Sequence, residues 1–169
     1  MTNLKDEPVP ADEDSFAFSL KGGCMKCAVC THSCESVDVR AKLQKAGVRI
    51  TRQRLELAKL LFRGGDRHFT ADGLYEEALS GKAPVSLATI YNTLQQFVSA
   101  GLVRRLPIEG QRAWYDTNVS EHHHLLFEED NCIYDIRDGE VSISQLPPIP
   151  AGMTVSRVEV VIRLRRNAA

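Results

Sequence analysis

The sequence predicts an α+β fold in which a winged helix-turn-helix precedes a second half made of short strands. Hydrophobic residues recur with a helical period between residues 52 and 100, and the period shortens to two after Gly101. The 169 residues are 43% hydrophobic and 25% charged, which is ordinary globular composition with enough chain to bury a core. These values exclude a wholly disordered or fibrous chain.

Three helices are predicted, and each begins after a hydroxyl residue suited to cap it. They are 52–62 after Thr51, 71–79 after Thr70 and 87–100 after Ser86. Gly101 lies where a left-handed C-terminal cap belongs. Residues 102–106 and 112–116 then predict a hairpin with Gly110 in its loop. The order helix, helix, turn, helix, hairpin is the winged helix-turn-helix layout.

The second half is expected to be rich in strands. The predicted strands lie around 122–127, 132–136, 140–144 and 155–165. We therefore expect three segments. They are an acidic disordered arm with a cysteine cluster over 1–36, a winged-helix DNA-binding domain over 37–117 and a second domain over 118–169.

The net charge of −1 conceals a basic block. Residues 40–105 hold twelve basic and five acidic side chains, a net charge of +7, whereas residues 1–20 and 106–169 are each net −4. Such a block indicates an anionic partner, with nucleic acid the first candidate. A solvated helical surface is the alternative.

The third predicted helix has an outer face suited to the major groove of DNA. Its exposed positions are small or uncharged polar residues, and the helix contains neither Asp nor Glu. Thr89, Tyr91 and Asn92 are the candidates for base contacts. The candidates for phosphate contacts, or for a minor-groove contact in the case of Arg49, are Arg49, Arg52, Arg54, Lys82, Arg104 and Arg105. An ordinary polar surface remains the alternative.

Three consecutive histidines, His122, His123 and His124, indicate a metal site. In a strand, His122 and His124 would lie on one face and His123, with Glu121, on the other. Imidazole and carboxylate ligands suit zinc, iron, manganese or haem iron. A solvated polar loop is the alternative.

Four cysteines stand close together near the N-terminus: Cys24, Cys27, Cys30 and Cys34. Their spacing matches a ferredoxin run except that Glu35 replaces the usual Pro, and four thiolates could equally bind zinc. A thiolate could also be an axial haem ligand. The sequence leaves these ligands, and unliganded thiols, open.

The ordered motifs resemble the ferric uptake regulator family over roughly residues 40–165. The matching segments are 47–54, 68–75, 85–91, 100–103 and 122–124. Within the family the chain looks similar to the iron response regulators of alphaproteobacteria. The resemblance implies a cytoplasmic homodimer with a winged helix and a small α/β dimerisation domain. It also implies a regulator, mainly a repressor, of iron-uptake and haem-biosynthesis genes that binds a double-stranded DNA operator.

The resemblance also implies specific sites. It places a divalent metal (iron, manganese or zinc) on His68, Asp116, His122 and His124, between the two domains. A weaker second site would use Glu121, His123 and Glu140, and haem would bind at the histidine triplet. The family's structural zinc is not expected, because residues 127–132 contain no Cys-x-x-Cys pair. The haem-synthesis enzyme ferrochelatase is an implied protein partner.

Two other functions remain open at this point. One is a metal- or peroxide-sensing regulator without a haem response. The other is an iron–sulfur or redox protein built on Cys24, Cys27, Cys30 and Cys34. An enzyme is not expected, because no nucleophile–base pair or cofactor fingerprint stands out. A membrane association is not expected either, because no apolar run is long enough to span a bilayer.

Overall fold

A computed structural model describes residues 38–81, 85–110 and 112–167. Its helices are α1 (Val39–Lys45), α2 (Arg52–Phe62), α3 (Ala71–Ser80) and α4 (Leu87–Ser99). Its strands are β1 (His68–Thr70), β2 (Arg104–Arg105), β3 (Trp114–Asp116), β4 (His123–Phe127), β5 (Cys132–Ile136) and β6 (Val161–Leu164). No helix in these parts of the chain has the length and apolar character needed to cross a membrane.

The three predicted helix caps are confirmed. The hydroxyl oxygens of Thr51, Thr70 and Ser86 each accept a hydrogen bond from the backbone N–H three residues later, at 3.1 to 3.3 Å. Gly101 has a φ of +66° just after α4, a left-handed conformation that favours glycine. The helices therefore begin and end where local chemistry places them.

The first sheet lies beside the helices and has the strand order β1-β3-β2, with both pairings antiparallel. The predicted hairpin is confirmed as β2 and β3, although both strands are shorter than expected. Strand β1 was not predicted, and it places His68 opposite Asp116. Under this sheet the helices bury a continuous core that includes Leu57, Leu94 and Phe97, all fully buried.

The second sheet has the order β5-β4-β6. Strands β4 and β5 form an antiparallel hairpin, and β6 pairs parallel to β4 with His124 opposite Val161. The strand predicted over 140–144 is wrong, and the one predicted over 155–165 shortens to β6. The expectation of an α/β second domain is also wrong for the described residues 118–167, which contain strands and no helix. Three prolines, Pro147, Pro148 and Pro150, lie in the long connection before β6 and oppose a helix there.

A small apolar cluster joins the two sheets. Leu106 lies just beyond β2, and it packs with Leu126 and Ile133 of the second sheet. Trp114 and Val161 pack against the same cluster. This contact packs the first sheet against the second half of β4, and the polar residues described next lie toward the other end of that strand.

Candidate metal centre

Five nitrogen and oxygen donors converge where the two sheets meet. The side chains of His68, Asp116, His122, His124 and Asp135 each offer one atom, and these atoms all lie within 4.8 Å of one another. We call these five residues the donor cluster. His68 and Asp116 come from the first sheet, whereas Asp135 and His124 come from the second and His122 directly precedes β4. The set therefore spans both halves of the chain.

Strand geometry explains how the cluster assembles. Asp116 is the register partner of His68 on one side and of Arg104 on the other. His124 is paired with Asp135 across β4 and β5. Because alternate residues of a strand share a face, His122 and His124 both reach the cluster, as the sequence predicted.

Two of the histidines are held with Nε2 directed into the cluster. His122 donates from Nδ1 to the Ser120 carbonyl at 3.1 Å, while its Nε2 lies 3.0 Å from Asp116 Oδ2. His124 places Nδ1 3.3 Å from Glu159 Oε1 and Nε2 3.6 Å from Asp116 Oδ2. Metal-binding histidines are commonly oriented by such an acceptor on the second ring nitrogen. The structure thus orients the His122 ring for ligation through Nε2, whereas the Glu159 oxygen lies close to His124 Nδ1 without a hydrogen bond of adequate geometry.

The carboxylates of the cluster are ionised. Burial by itself would raise the pKa of Asp116 and of Asp135, but the close contacts with the neighbouring imidazoles outweigh it and hold both pKa values well below their usual range. For His122, burial lowers the pKa, yet its bonds to the two carboxylates prevail and raise it to about 9. Burial keeps the pKa of the neighbouring His124 below its ordinary value. The cluster therefore presents charged oxygens to a cation.

The residues fit a divalent metal. His68 Nε2 and Asp135 Oδ1 lie 3.0 Å apart, yet both are buried and neither makes a hydrogen bond of adequate geometry. Buried polar atoms in this situation are costly unless a partner satisfies them. A cation among three imidazoles and two carboxylates would do so, and this donor set suits iron, manganese or zinc.

Asp135 and Glu159 are the parts of this site that the sequence did not predict. Asp135 is one of several acidic residues between 128 and 140, whereas Glu159 is a lone acidic residue in a stretch rich in Val and Ile, so neither forms a motif. The useful signal for Asp135 was its position in a predicted strand beside the histidine strand. The signal for Glu159 appears only when β6 pairs with β4.

The predicted second site is not brought together in the described part of the chain. Glu121 and Glu140 are exposed, and Glu140 accepts a hydrogen bond from the backbone of Arg137. His123 is half-buried and its Nδ1 accepts from the backbone of Val160 at 3.4 Å. The three histidines predicted to bind haem are also separated. His122 and His124 join the donor cluster, whereas His123 does not.

The predicted DNA-contacting residues lie mostly on the surface. Tyr91 and Asn92 are exposed on α4, and Arg49 and Arg52 are exposed at the start of α2. The Thr89 hydroxyl lies 2.9 Å from that of Ser86, and Arg54 donates to the carbonyl of Arg49 at 2.7 Å. These two side chains therefore have local partners.

The structure contradicts the prediction for Arg104 and does not describe the residues of two others. The phosphate contact predicted for Arg104 is wrong, because its side chain is buried against Asp116. Lys82 and the cysteines Cys24, Cys27, Cys30 and Cys34 lie outside the described residues.

Comparison with known proteins identifies the family. The model of the ferric uptake regulator family matches residues 45–162, which is most of the chain. The chain belongs to the ferric uptake regulator family. Ferric uptake regulators are transcription regulators rather than enzymes, and a donor cluster that could hold a metal ion agrees with that family.

Several members of the family are similar to this chain. It is 42% identical over 96 residues to the peroxide-responsive repressor of Staphylococcus epidermidis, a match that spans 56% of this chain and 63% of that protein. It is 31% identical over 106 residues to the ferric uptake regulation protein of Pseudomonas aeruginosa, covering 62% of this chain and 79% of that one. The solved structure of the Pseudomonas aeruginosa ferric uptake regulator with manganese aligns with a TM-score of 0.62 and 25% identity, over 78% of this chain and 99% of that chain.

Proposed function

We propose that this ferric uptake regulator family member is a DNA-binding transcription regulator whose operator affinity is controlled by a divalent metal at the donor cluster. It acts as a homodimer, mainly as a repressor, and iron or manganese is the metal that we expect in the cell. The observation that carries the proposal is the origin of the ligands. His68 and Asp116 belong to the sheet that includes the hairpin after α4, whereas Asp135 and His124 belong to the second sheet.

A cation at this junction would couple the two halves. It favours the arrangement in which all five donors converge over any arrangement that separates the sheets. A ligand shifts a conformational equilibrium only by its difference in affinity for the two states. Because the ligands come from both sheets, the metal binds the arrangement with converged donors much more tightly than an arrangement in which the sheets are apart.

The test measures DNA binding with and without metal. Duplexes selected from a random pool by Mn²⁺-loaded protein supply the operator, and fluorescence anisotropy then gives the affinity. We expect tight binding with Mn²⁺, loss of binding with chelator and loss in a His122→Ala, His124→Ala variant that retains its circular dichroism. Affinity should fall steeply with salt, because phosphate contacts release counterions. Binding that ignores chelator would overturn metal control, and absence of any selected duplex would overturn the DNA function.

A second candidate, control by haem in iron and haem gene regulation, is favoured by a cavity beside the donor cluster. The cavity has a volume of about 450 Å³. Small-ligand pockets span about 300–1,000 Å³. Its walls include the apolar side chains of Ile136, Val141, Leu146 and Val155, with His122 and His123 among the lining residues. This combination of an apolar wall and an imidazole suits a porphyrin with an axial ligand.

A substitution of His123 distinguishes control by haem from control by a divalent metal. Haem added to the protein should produce a shifted Soret band, and a His123→Ala variant should lose that shift while keeping Mn²⁺-dependent DNA binding. An unshifted Soret band at equimolar haem, or DNA binding that does not respond to haem, would leave metal control alone.

A further inference from the structure

Arg104 carries its guanidinium into the donor cluster. The residue stands in β2 and is only 8% exposed. Its Nη2 lies 3.0 Å from Asp116 Oδ2 and 3.1 Å from His124 Nε2. The same nitrogen also contacts His122 Nε2. A positive charge belonging to the chain itself therefore lies against three of the five donors.

The acidic surroundings explain why a cation lies there. The cluster contains the carboxylates of Asp116 and Asp135, and Glu159 borders it through His124. Buried carboxylates need a positive partner, because an unpaired charge removed from water is very unfavourable. An arginine side chain remains protonated in proteins, so Arg104 can supply that charge under all ordinary conditions.

Arg104 and a metal ion compete for the same atoms. Ligation through Nε2 of His122 and of His124 requires each nitrogen to face the ion without a proton, and Nη2 of Arg104 occupies the space that the ion would need. Two positive charges close together in a site that excludes water also repel each other strongly. The guanidinium in its present position is therefore incompatible with a metal bound by all five donors.

We propose that Arg104 is a built-in competitor of the metal: its guanidinium occupies the donor cluster when no metal is bound, leaves when the metal binds, and so sets the metal concentration at which the protein loads. The inference rests on the proposed metal function of the cluster. Glu159 gives the displaced side chain a new partner, because its Oε1 lies 3.9 Å from Arg104 Nη1 and is not one of the five donors.

The position of Arg104 in the chain links the replacement of its guanidinium by a metal to helix α4. Strand β2 follows α4 directly, and the N–H of Leu102 donates to the Phe97 carbonyl at 2.9 Å. Both Phe97 and Val103 are buried in the main core. A change in the position of Arg104 therefore occurs next to the segment that fixes the end of α4.

The experiment compares Arg104→Gln with the wild type and with Arg112→Gln. Arg112 is an exposed residue of the same hairpin, so its substitution removes an equal charge without touching the cluster. The Mn²⁺ affinity is measured by competition with a fluorescent chelator, in the absence of DNA. We expect Arg104→Gln to bind Mn²⁺ about tenfold more tightly than the wild type, a tenfold change being about 1.4 kcal/mol. Arg112→Gln should stay within about twofold of the wild type, because its charge is solvated and screened.

Thermal unfolding tests the role of Arg104 in the metal-free protein as well as in the metal-loaded protein. Without metal, Arg104→Gln should have a lower Tm than the wild type, because its buried carboxylates lose their cation. The increase in Tm on adding Mn²⁺ should be larger for the variant. If Arg104→Gln fails to fold without metal, Arg104→Lys takes its place. A lysine lacks the planar fork that reaches several partners, so its Mn²⁺ affinity should exceed that of the wild type by a smaller factor.

The outcomes separate this inference from the proposed function. Mn²⁺ binding by Arg104→Gln that equals or falls below that of the wild type overturns the role of Arg104, while metal control stands as long as His122→Ala, His124→Ala abolishes binding. Failure of every variant and the wild type to bind Mn²⁺, Fe²⁺ or Zn²⁺ overturns both. Tighter binding in Arg104→Gln together with DNA binding that ignores metal supports Arg104 and overturns the proposed function.

Discussion

The Nδ1 atom of His124 lies 3.3 Å from Oε1 of Glu159, in a position where neither atom is open to solvent. The pair joins the histidine strand to the residue that stands just before β6. Since His124 directs its other nitrogen to the donor cluster, Glu159 contacts a histidine of the cluster from behind without belonging to the cluster. This relationship leads to the first of four predictions.

Replacing Glu159 by Gln should weaken Mn²⁺ binding by about tenfold. Glutamine keeps an acceptor oxygen but removes the negative charge, and changes to the group behind a ligating histidine typically lower metal affinity by about 10- to 100-fold because the basicity of the ring changes. Competition with a fluorescent chelator measures the change, and Glu109→Gln, at an exposed position of the hairpin, is the matched control. Equal affinity in Glu159→Gln and the control would show that His124 needs no support from Glu159.

Replacing Asp135 by Asn should weaken Mn²⁺ binding more strongly, by about 100-fold. The substitution keeps the shape of the side chain but removes the charge of an oxygen that lies 3.0 Å from His68 Nε2 and 3.2 Å from His122 Nε2. A direct ligand should matter at least as much as an orienting residue. Isothermal titration calorimetry measures the affinity, with Asp138→Asn in the exposed turn after β5 as the control. An affinity in Asp135→Asn within threefold of the control would remove Asp135 from the ligand set.

Replacing Asn92 by Ala should lower operator affinity by about 1–3 kcal/mol, the range for loss of a specific base contact. The side chain is exposed in the first half of α4, where recognition helices contact base edges. Anisotropy with the selected operator and with an unrelated duplex measures both affinities. The unrelated duplex should be bound as before. Gln96→Ala, one turn later on the same helix, is the control. An equal loss of affinity in that variant would mean that the DNA-contacting surface extends further along α4 than predicted.

Replacing Leu94 by Ala should lower the free energy of unfolding by about 2–5 kcal/mol, the usual range for a buried leucine. Leu94 is fully buried in the main core, between α4 and its neighbours. Urea denaturation in the presence of chelator isolates this effect from metal binding. Leu79→Ala is the matched control, because that side chain is 52% exposed at the end of α3. A loss below about 1 kcal/mol for Leu94→Ala would mean that α4 packs more loosely than its burial implies.

Helices α2, α3 and α4 were predictable from sequence because their signals are local, whereas the short helix α1 was not predicted. Thr51 and Ser86 cap the helices that follow them, and the apolar period of α2 gave its limits of Arg52 and Phe62 without error. Strand β1 was missed because three residues are too few to show alternation, and its last residue, Thr70, already served as a helix cap. The predicted helical character of the second domain came only from resemblance, and the prolines before β6 contradict it.

The candidate site was predictable in part for a different reason. His122 and His124 are close in sequence and converge through strand alternation, whereas His68 and Asp116 could be assigned only by resemblance to the family. Arg104 was predicted as a candidate for a phosphate contact because it stands in the basic block beside Arg105. Its burial depends on pairing with Asp116 across β2 and β3, which no local pattern shows. Partnership with ferrochelatase, and a ligand for the N-terminal cysteines, stay predictions.

The order of these elements along the chain also affects the newly made protein. The main core is built from residues between 43 and 115, so it can close soon after the hairpin leaves the ribosome. Asp135 and Glu159 are synthesised later, and β6 is the final strand. Since domains generally fold in the order of synthesis, the half with α4 gains its shape before the second sheet exists. A nascent chain therefore passes through a stage in which α4 is folded while the donor cluster still lacks Asp135.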